Sequence, residues 1–377
     1  MRIGFDGKRA VQNFTGLGNY SRYVADILCH FYPENDYVLY APKKRENKRM
    51  NLLTGQYRQL TLAYPATSFW KKLSSLWRVW GITSQLEKEG IELFHGLSNE
   101  LPLNIHKSRI KSIVTIHDLI FLRYPQYYQS IDRKIYTYKF RKACENADKI
   151  IAISECTKRD IIRYFNIPDD KIEVVYQGCD VSFTHPVTEE KKEEVRKKYQ
   201  LPDHYILNVG SIEERKNILA AVQALPMLPQ HIHIVIVGRR TGYTEKVEQF
   251  IKDNGLGERV HIISNVPFND LPAFYQSAEI FVYPSRFEGF GIPIIEALYS
   301  GIPVVAATGS CLEEAGGPDS IYVNPDDITG LADAFKQIYS NSDKRKNMVE
   351  KGREFAKRFS EKQQSEEIIN IYTKLIR

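Results

Sequence analysis

The chain has 377 residues, of which 43% are hydrophobic and 26% charged, and its formal net charge is +6. This length exceeds what one hydrophobic core usually supports, and the composition excludes wholesale disorder. The small positive excess suits an anionic substrate or an acidic membrane surface, but it is too weak to indicate nucleic-acid binding. No apolar run approaches the ~20 residues that a membrane-spanning helix needs.

Cysteine usage and the first residues both bear on the compartment. The five cysteines are scattered and never form a CxxC pair, which is typical of a reducing compartment rather than of a disulfide framework or a zinc site. The opening MRIGFDGKRAV carries charges where a secretion signal needs an unbroken apolar stretch. We therefore expect a protein of the cytoplasm, acting there or at the inner face of the cell membrane.

Short β-rich runs alternate with longer helical patterns, which predicts an α/β protein with parallel sheets. In the first half, strands are predicted at 2–6, 37–40, 112–116, 149–153 and 173–176. In the second half, they are predicted at 205–209, 233–237, 260–263, 280–283, 303–306 and 321–323. The charged stretch 187–203 reads as a linker and surface helix, so we predict domains at 1–185 and 186–358. The tail 359–377 has helical apolar spacing and is predicted to pack back on the first domain.

The most informative stretch is YPSRFEGFGIPIIEALYSGIPVV, which begins at Tyr283. A strand ends there, an EGFG loop follows, and Pro293 and Gly301 stand where a helix should begin and end. Glycines before a helix N-terminus let backbone N–H groups reach an anion such as a diphosphate. Each glutamate alone has an ordinary explanation, since Glu296 in the first turn would complement the helix dipole. The whole arrangement, with Glu288 in the loop, favours a binding site.

Three further segments follow predicted strands. Arg215 and Lys216, after the strand end at Gly210 and Ser211, could clamp a diphosphate, although an isolated Arg-Lys pair is often a solvated turn. Gly16 and Gly18 form a GxG in a predicted loop before a helix. The full three-glycine dinucleotide motif is absent there, which disfavours an NAD enzyme. His117-Asp118 could bind sugar hydroxyls or handle a proton, or could equally bond the next helix.

Together these segments resemble the retaining nucleotide-sugar glycosyltransferases of glycosyltransferase family 4. The resemblance runs from the early TGLGNY to the late GGPDSIYVNPDD, and its most specific elements are the EGFG block with two glutamates and the RKN upstream. It implies the GT-B fold, in which two Rossmann-like doubly wound domains face each other across a cleft. It also implies a hexosyltransferase that acts in surface polysaccharide or lipopolysaccharide synthesis.

The resemblance implies a role for each matching residue. Arg215 and Lys216 would neutralise the donor diphosphate, Glu288 would contact the donor sugar, and Glu296 would accept hydrogen bonds from the ribose. Other donor contacts implied are Gly16, Gly18, Gly210, Ser211, Asn265 and Val266 (the base), Gly289, Phe290, Gly291 and Ile292. His117 would face the donor sugar, and the acceptor side would be formed by Asn19, Tyr20 and Asp118.

The chemistry expected is metal-independent transfer with retention at the anomeric carbon. A cationic pair and a helix N-terminus aimed at the departing diphosphate stabilise its charge, and the sequence has no convincing DxD motif. Retention is implied by the resemblance alone. The habits of the family slightly favour GDP-mannose as donor, with a saccharide or lipid-linked saccharide as acceptor.

The segment Phe69–Ile82 mixes three tryptophans with basic residues, which is typical of a helix in a membrane interface. A helix that packs its tryptophans on the first sheet explains the same pattern. Rival functions are another GT-B chemistry, either a phosphorylase or a nucleotide-sugar epimerase, and a non-catalytic two-domain sugar-binding protein. The sequence offers neither the cofactor lysine site of the first nor the carboxylate pair of the second, and no export signal for the third.

Overall fold

The computed structural model describes residues 1–377 as thirteen strands and eighteen α-helices, joined by short turns. The strands are β1 (Arg2–Asp6), β2 (Asp36–Tyr40), β3 (Leu60–Ala63), β4 (Leu93–Gly96), β5 (Lys111–Ile116), β6 (Lys149–Ala152), β7 (Ile172–Val174), β8 (Tyr205–Val209), β9 (His233–Val237), β10 (Val260–Ile263), β11 (Ile280–Tyr283), β12 (Val304–Ala307) and β13 (Ile321–Val323). The helices are α1 (Lys8–Gln12), α2 (Gly16–Phe31), α3 (Lys48–Gln56), α4 (Ser68–Lys72), α5 (Ser74–Leu76), α6 (Ile82–Lys88), α7 (Ile120–Arg123), α8 (Ser130–Asn146), α9 (Glu155–Phe165), α10 (Glu189–Tyr199), α11 (Ile218–Ala224), α12 (Tyr243–Asp253), α13 (Leu271–Ser277), α14 (Ile292–Ser300), α15 (Leu312–Gly316), α16 (Ile328–Ser340), α17 (Ser342–Ala356) and α18 (Glu361–Ile376). None of the helices combines the length and the apolar content that a bilayer crossing demands.

The chain divides into two compact units. The N-terminal unit comprises Met1–Gln177 together with Glu361–Arg377, and the C-terminal unit comprises Gly178–Ser360. The division therefore falls after Gln177, a little before the sequence-based boundary at 185. The last helix, α18, belongs to the N-terminal unit, because its Ile368 and Tyr372 are buried in the same core as Ile3 of β1.

The N-terminal unit contains a seven-stranded sheet in the order β3-β2-β1-β4-β5-β6-β7. Every neighbouring pair is parallel, and helices cover both faces. The chain runs outward from β1 to β2 and β3, then returns to place β4 on the other side of β1. The carboxyl ends of β1 and β4 therefore lie at a switch point, where α/β sheets bind ligands.

The C-terminal unit repeats this plan with six parallel strands in the order β10-β9-β8-β11-β12-β13. Its strands are Ile- and Val-rich because both faces are covered, so that strand positions such as Ile206, Ile234 and Val282 are fully buried. The switch point lies between β8 and β11, and the loops that leave these two strands begin next to each other.

The α/β prediction is confirmed, and the predicted strands of the C-terminal unit are confirmed within a residue at each end. In the N-terminal unit the sequence does not predict the strands β3 and β4, because LTLA and LFHG are four-residue runs with at most one β-branched residue. The strand predicted at 173–176 begins one residue earlier and ends at Val174.

Candidate active site

A short turn after β8 positions two cations in the C-terminal unit. Residues Glu214–Lys216 form a 3-10 turn that ends at Asn217, whose φ of 54° is left-handed. Asparagine tolerates this conformation better than most residues. Its buried side-chain amide donates to the backbone oxygens of Pro284 (3.2 Å) and Pro325 (2.8 Å), so the turn is fixed against the loop that leaves β11.

Arg215 and Lys216 meet Glu288 in that neighbouring loop. An Arg215 nitrogen lies 2.8 Å from one Glu288 oxygen, and Lys216 Nζ lies 3.1 Å from the other. The Tyr283 hydroxyl accepts from Lys216 Nζ at 2.8 Å and donates to Glu288 at 3.2 Å. The three charged side chains are only 12–16% exposed. We call Arg215, Lys216 and Glu288 the charged triad.

Burial and charge act in opposite directions on the triad. Burial would raise the pKa of the Glu288 carboxyl, but Lys216 and Arg215 outweigh burial and lower that pKa to about 2. Burial would likewise lower the pKa of Lys216, yet Glu288 raises it. At neutral pH the triad therefore carries two positive charges and one negative charge, and its excess charge favours an anion.

Helix α14 begins beside Glu288. Gly291 precedes it with a φ of 135°, Pro293 is its second residue, and Gly301 ends it with a φ of 74°. A side chain at Gly291 or Gly301 would be strained, because L-residues rarely adopt such values of φ. The helix therefore starts and stops as predicted, and its N-terminal end, the positive end of the helix dipole, lies close to the triad in the chain.

Glu296 requires a correction. It lies in the second turn of α14, so it does not complement the helix dipole from the first turn. Its carboxylate accepts a hydrogen bond of 2.6 Å from the buried Tyr275 hydroxyl. Burial raises the pKa of Glu296 to about 7, with Tyr275 opposing the rise and Asp180 adding to it. Near neutral pH this carboxyl is thus a mixture of its charged and neutral forms.

The remaining donor candidates of the C-terminal unit lie along the same sheet edge. Gly210, with a φ of 152°, follows β8, and a Cβ built there would lie 3.2 Å from Lys216 Nζ. Ser211 donates to Glu213 at 2.6 Å. Asn265, with a left-handed φ of 60°, and Val266 follow β10, which is two strands away from β8. Gly289, Phe290 and Ile292 lie in the link between β11 and α14, where the Phe290 side chain is buried.

The GxG of the N-terminal unit also requires a correction. Gly16 and Gly18 are not in a loop, because α2 begins at Gly16 and both glycines lie in its first turn. A Cβ at Gly18 would lie 2.0 Å from the backbone oxygen of Asn13, whereas a Cβ at Gly16 would meet nothing within 4 Å. Gly18 is thus explained by close packing of α2 on the preceding turn, and Gly16 remains open for a ligand contact.

His117 follows β5 and is almost fully buried, at 6% exposure. Its Nε2 lies 2.9 Å from the backbone oxygen of Leu97, which can only accept, so Nε2 carries the proton. Its Nδ1 then accepts from the Gln177 side chain at 3.2 Å. Burial lowers the pKa of His117 to about 4. The ring is therefore neutral with both nitrogens engaged, an arrangement that favours positioning over proton transfer.

The acceptor-side candidates have structural partners as well. Asn19 accepts hydrogen bonds from Arg22 (2.7 Å) and Arg49 (3.1 Å). Asp118 accepts from the backbone N–H of Ile120 at 3.1 Å, at the start of α7. The buried Tyr20 packs edge-on against His117, with 4.6 Å between ring centroids.

Sequence reasoning missed a buried polar chain beneath His117. The Tyr20 hydroxyl lies 3.2 Å from Thr115 Oγ1, which lies 2.8 Å from His95 Nε2, and His95 Nδ1 lies 2.5 Å from the Tyr372 hydroxyl. Burial lowers the pKa of His95 to about 3. We call Tyr20, Thr115, His95 and Tyr372 the neutral chain. Recognition of β4 would have placed His95 inside the sheet, but nothing local in the sequence points to Tyr372.

Two known family models match this chain, one in each of its two units. The model of the family described as Glycosyltransferase Family 4 matches residues 21–183, and that described as Glycosyl transferases group 1 matches residues 189–355. The O-antigen chain mannosyltransferase B of Escherichia coli is 30% identical over 286 residues, which cover 74% of each chain. The chain belongs to glycosyltransferase family 4. As a member of this family it is a hexosyltransferase, as predicted.

Other similar proteins agree with this assignment to family 4. The O-antigen chain mannosyltransferase RfbU of Salmonella typhimurium is 29% identical over 225 residues, 60% of each chain. Among solved structures, Anabaena HepE in complex with UDP has a TM-score of 0.78 at 18% identity, covering all of both chains. WaaG, a glycosyltransferase involved in lipopolysaccharide biosynthesis, has a TM-score of 0.71 at 16% identity, covering 98% of this chain and 99% of its own. These structures confirm the two-domain α/β GT-B fold.

Proposed function

We propose that this family 4 enzyme transfers a mannose- or glucose-type hexose from a nucleotide-diphosphate sugar to a saccharide or lipid-linked saccharide in surface polysaccharide synthesis. The observation that carries the proposal is the charged triad at the switch point of the C-terminal sheet, beside the start of α14. A diphosphate fits two cations and a helix N-terminus better than an uncharged ligand does. The mannosyltransferase relatives support the sugar class and the process.

The chemistry follows from where charge develops. As the bond between the anomeric carbon and the diphosphate oxygen breaks, the sugar becomes positive and the leaving group gains negative charge. Arg215, Lys216 and the first turn of α14 would stabilise that leaving group without a metal ion. An acceptor hydroxyl would attack from the face that the diphosphate leaves, and its proton would pass to a diphosphate oxygen. The new bond then has the original anomeric configuration.

Glu288 has a double role in this proposal. In the free protein it neutralises part of the charge of the two cations, which keeps them folded towards one point. When the donor binds, phosphate oxygens would take over contacts to Arg215 and Lys216, and Glu288 would turn to the sugar hydroxyls. Glu296 would accept hydrogen bonds from the ribose in place of the one it accepts from Tyr275.

The N-terminal unit supplies the other proposed contacts. His117 would face the donor sugar as a neutral, oriented ring, Gly16 would approach the diphosphate, and Asn19, Tyr20 and Asp118 would lie towards the acceptor. Peripheral membrane association through the segment Phe69–Ile82 belongs to the same proposal, because a lipid-linked acceptor lies at a membrane surface.

The donor is tested by thermal shift with a panel of nucleotide sugars. GDP-mannose comes first, since the two O-antigen relatives described above are mannosyltransferases, and UDP-glucose is included because HepE was solved with it. A donor present at 100 times its Kd should stabilise the protein by ~2.7 kcal/mol. If no nucleotide sugar shifts the unfolding temperature, the proposed donor site is wrong.

The stereochemistry and the metal requirement are tested on the product. NMR of the anomeric proton should show the configuration of the donor sugar, and turnover should be unchanged by excess EDTA. An inverted product would contradict retention, and loss of activity in EDTA that Mg²⁺ restores would contradict metal-independent transfer.

A further inference from the structure

The segment Phe69–Ile82 is divided between the core and the surface. Trp77 is fully buried, and the ring of Trp70 lies over Gly81, where an added Cβ would be 2.6 Å from it. Arg78 is held by Asp6 and by Glu100. These contacts confirm that tryptophans of this segment pack on the N-terminal sheet, but they account for only half of its apolar side chains.

The other half faces solvent in a stripe. Phe69, Leu73, Leu76 and Trp80 follow one another at spacings of four, three and four residues, and their exposed fractions are 61%, 39%, 45% and 49%. The spacing is helical, but the segment consists of α4, α5 and a π-helical turn at Trp77–Gly81, so the four side chains share exposure to solvent and not one continuous helix face. We call these four residues the first stripe.

Helix α8 carries a second stripe. Ile131, Ile135 and Tyr138, again four and three residues apart, are 71%, 45% and 56% exposed. The two segments hold eight of the twelve exposed large hydrophobic residues of the chain. Single exposed apolar residues need no explanation, but such a concentration in two segments does.

The two stripes belong to one surface. Glu100 lies between them, with its carboxylate 2.5 Å from Arg78 and 3.6 Å from Lys139 of α8. A cavity of about 330 Å³ is lined by Val79 next to the first stripe and by Ile135 and Tyr138 of the second. The segment that carries the first stripe and the helix that carries the second therefore adjoin at this cavity.

The charge around the stripes indicates what covers them. The segment 68–81 contains Lys71, Lys72 and the paired Arg78 and no acidic residue, and α8 contains Asp132 and Glu145 against five basic residues. Lys71, Lys72 and Lys134 are exposed. A second copy of this chain would place like charges opposite each other, whereas an anionic surface complements both the lysines and the apolar stripes.

We propose that the first stripe, the second stripe and their flanking lysines form one surface that binds the interface of an anionic lipid bilayer. The aromatic and aliphatic side chains enter the headgroup boundary, and the lysines contact lipid phosphates. The proposal rests on the membrane part of the proposed function and deepens it, because it adds α8 and names the lipid chemistry.

Vesicle flotation of the full chain, without donor or acceptor, tests this surface. Vesicles of phosphatidylglycerol and phosphatidylcholine in equal parts should bind the protein at low salt, and phosphatidylcholine vesicles should bind it far less. Leu73→Gln with Leu76→Gln, and separately Ile131→Gln with Ile135→Gln, should each weaken partitioning by about tenfold or more. Lys71→Gln with Lys72→Gln should weaken it by about fivefold for each lysine.

Leu52→Gln is the matched control, because Leu52 is 74% exposed in the same unit but belongs to neither stripe. It should bind vesicles like the unchanged protein, and near-UV circular dichroism should show every variant folded. Equal binding to both vesicle types, or full binding by the stripe variants, would overturn the proposal. So would a lipid-free dimer in light scattering that the stripe variants abolish. Since no sugar nucleotide is present, a failed donor panel would leave this result unaffected.

Discussion

The two units build the same kind of parallel sheet, yet opposite chemistry is found near the carboxyl ends of their central strands. In the C-terminal unit, Arg215, Lys216 and Glu288 are charged and 12–16% exposed. In the N-terminal unit, His95 and Thr115 are fully buried, and burial lowers the pKa of the histidine to about 3. The charged triad is ionic and reaches solvent, whereas the neutral chain is uncharged and closed, although Asp6 at the end of β1 is itself paired with Arg78.

The difference shows how a shared architecture separates two tasks. Charged groups that still reach solvent can exchange one partner for another at little cost, which an incoming diphosphate requires. Buried neutral groups cannot leave their partners without leaving an unsatisfied polar atom behind. The neutral chain therefore gives the N-terminal unit a rigid and uncharged framework, which suits the positioning of sugar hydroxyls.

The largest effect is expected when a cation of the charged triad is removed. Lys216→Ala should lower kcat by about 100-fold to 1,000-fold, as loss of a group that stabilises developing negative charge does elsewhere. Nucleotide-sugar affinity should change much less, because Glu288 and Arg215 remain. Steady-state kinetics with the donor found in the panel measure both values. Lys336→Ala, which removes an exposed lysine of the same unit, is the control, and equal turnover in both variants would refute the role of Lys216.

The next largest effect is the loss of stability in acid that is expected from the neutral, buried His117. The pKa of His117 is about 4 in the folded protein against an ordinary 6.5, with burial as the main cause. The unfolded chain therefore binds more protons between these two values. Stability is complete above 6.5 and falls by about 3 kcal/mol for this histidine as the pH drops to its folded pKa.

Tryptophan fluorescence measures this loss selectively, because all three tryptophans lie in the N-terminal unit. His117→Asn should lower the free energy of unfolding near neutral pH and reduce the acid dependence of that free energy by the part due to His117, while the part due to His95 remains. His106→Gln, at an exposed position of the same unit, should leave the dependence unchanged. If His117→Asn keeps the full acid dependence, His117 is not the titrating group.

A smaller effect separates the two glycines of the GxG. Gly18→Ala should destabilise the N-terminal unit by about 1–3 kcal/mol, because the new Cβ would meet the Asn13 backbone oxygen at 2.0 Å. Gly16→Ala meets nothing within 4 Å and should stabilise the unit by about 0.5 kcal/mol. Tryptophan fluorescence in urea measures both. Equal destabilisation by the two substitutions would show that the packing explanation of Gly18 is wrong.

The smallest effect concerns Glu296. Because the pKa of its carboxyl is raised to about 7, mainly by burial, it loses its charge as the pH falls through neutrality. If the ribose binds the charged form, nucleotide-sugar affinity should fall by about tenfold between about pH 8 and about pH 6. Calorimetric titration measures this slope, and Glu296→Gln should remove it. An unchanged slope in that variant would assign the titration to another group.

The sequence predicts most of the C-terminal unit because its signals are local. Uninterrupted Ile- and Val-rich runs mark strands covered on both faces, and Pro293 and Gly301 mark the helix between two of them. The contact between Lys216 and Glu288 spans 72 positions and depends on the order of strands, which no local pattern contains. The sequence therefore predicts Lys216 and Glu288 as candidate site residues, but it does not predict that they form an ion pair.

The N-terminal unit shows where such reasoning fails. His95 is 277 positions from its hydrogen-bond partner Tyr372, and its strand is only four residues long. The GxG predicts a loop because glycines usually mark one, but α2 begins at the first of the two glycines. In the first case the deciding contact is a side-chain hydrogen bond to a distant residue, and in the second it is close packing against the backbone of Asn13. Hydrophobic periodicity indicates neither contact.

The return of the last helix to the N-terminal unit has a practical consequence for engineering. Residues 361–377 complete the core around β1, and Tyr372 completes the neutral chain. A fragment that stops at Gln177 would lack one wall of its own interior. Chimaeras that exchange acceptor preference between relatives should therefore transplant two pieces of chain, with crossover points after Gln177 and before Glu361.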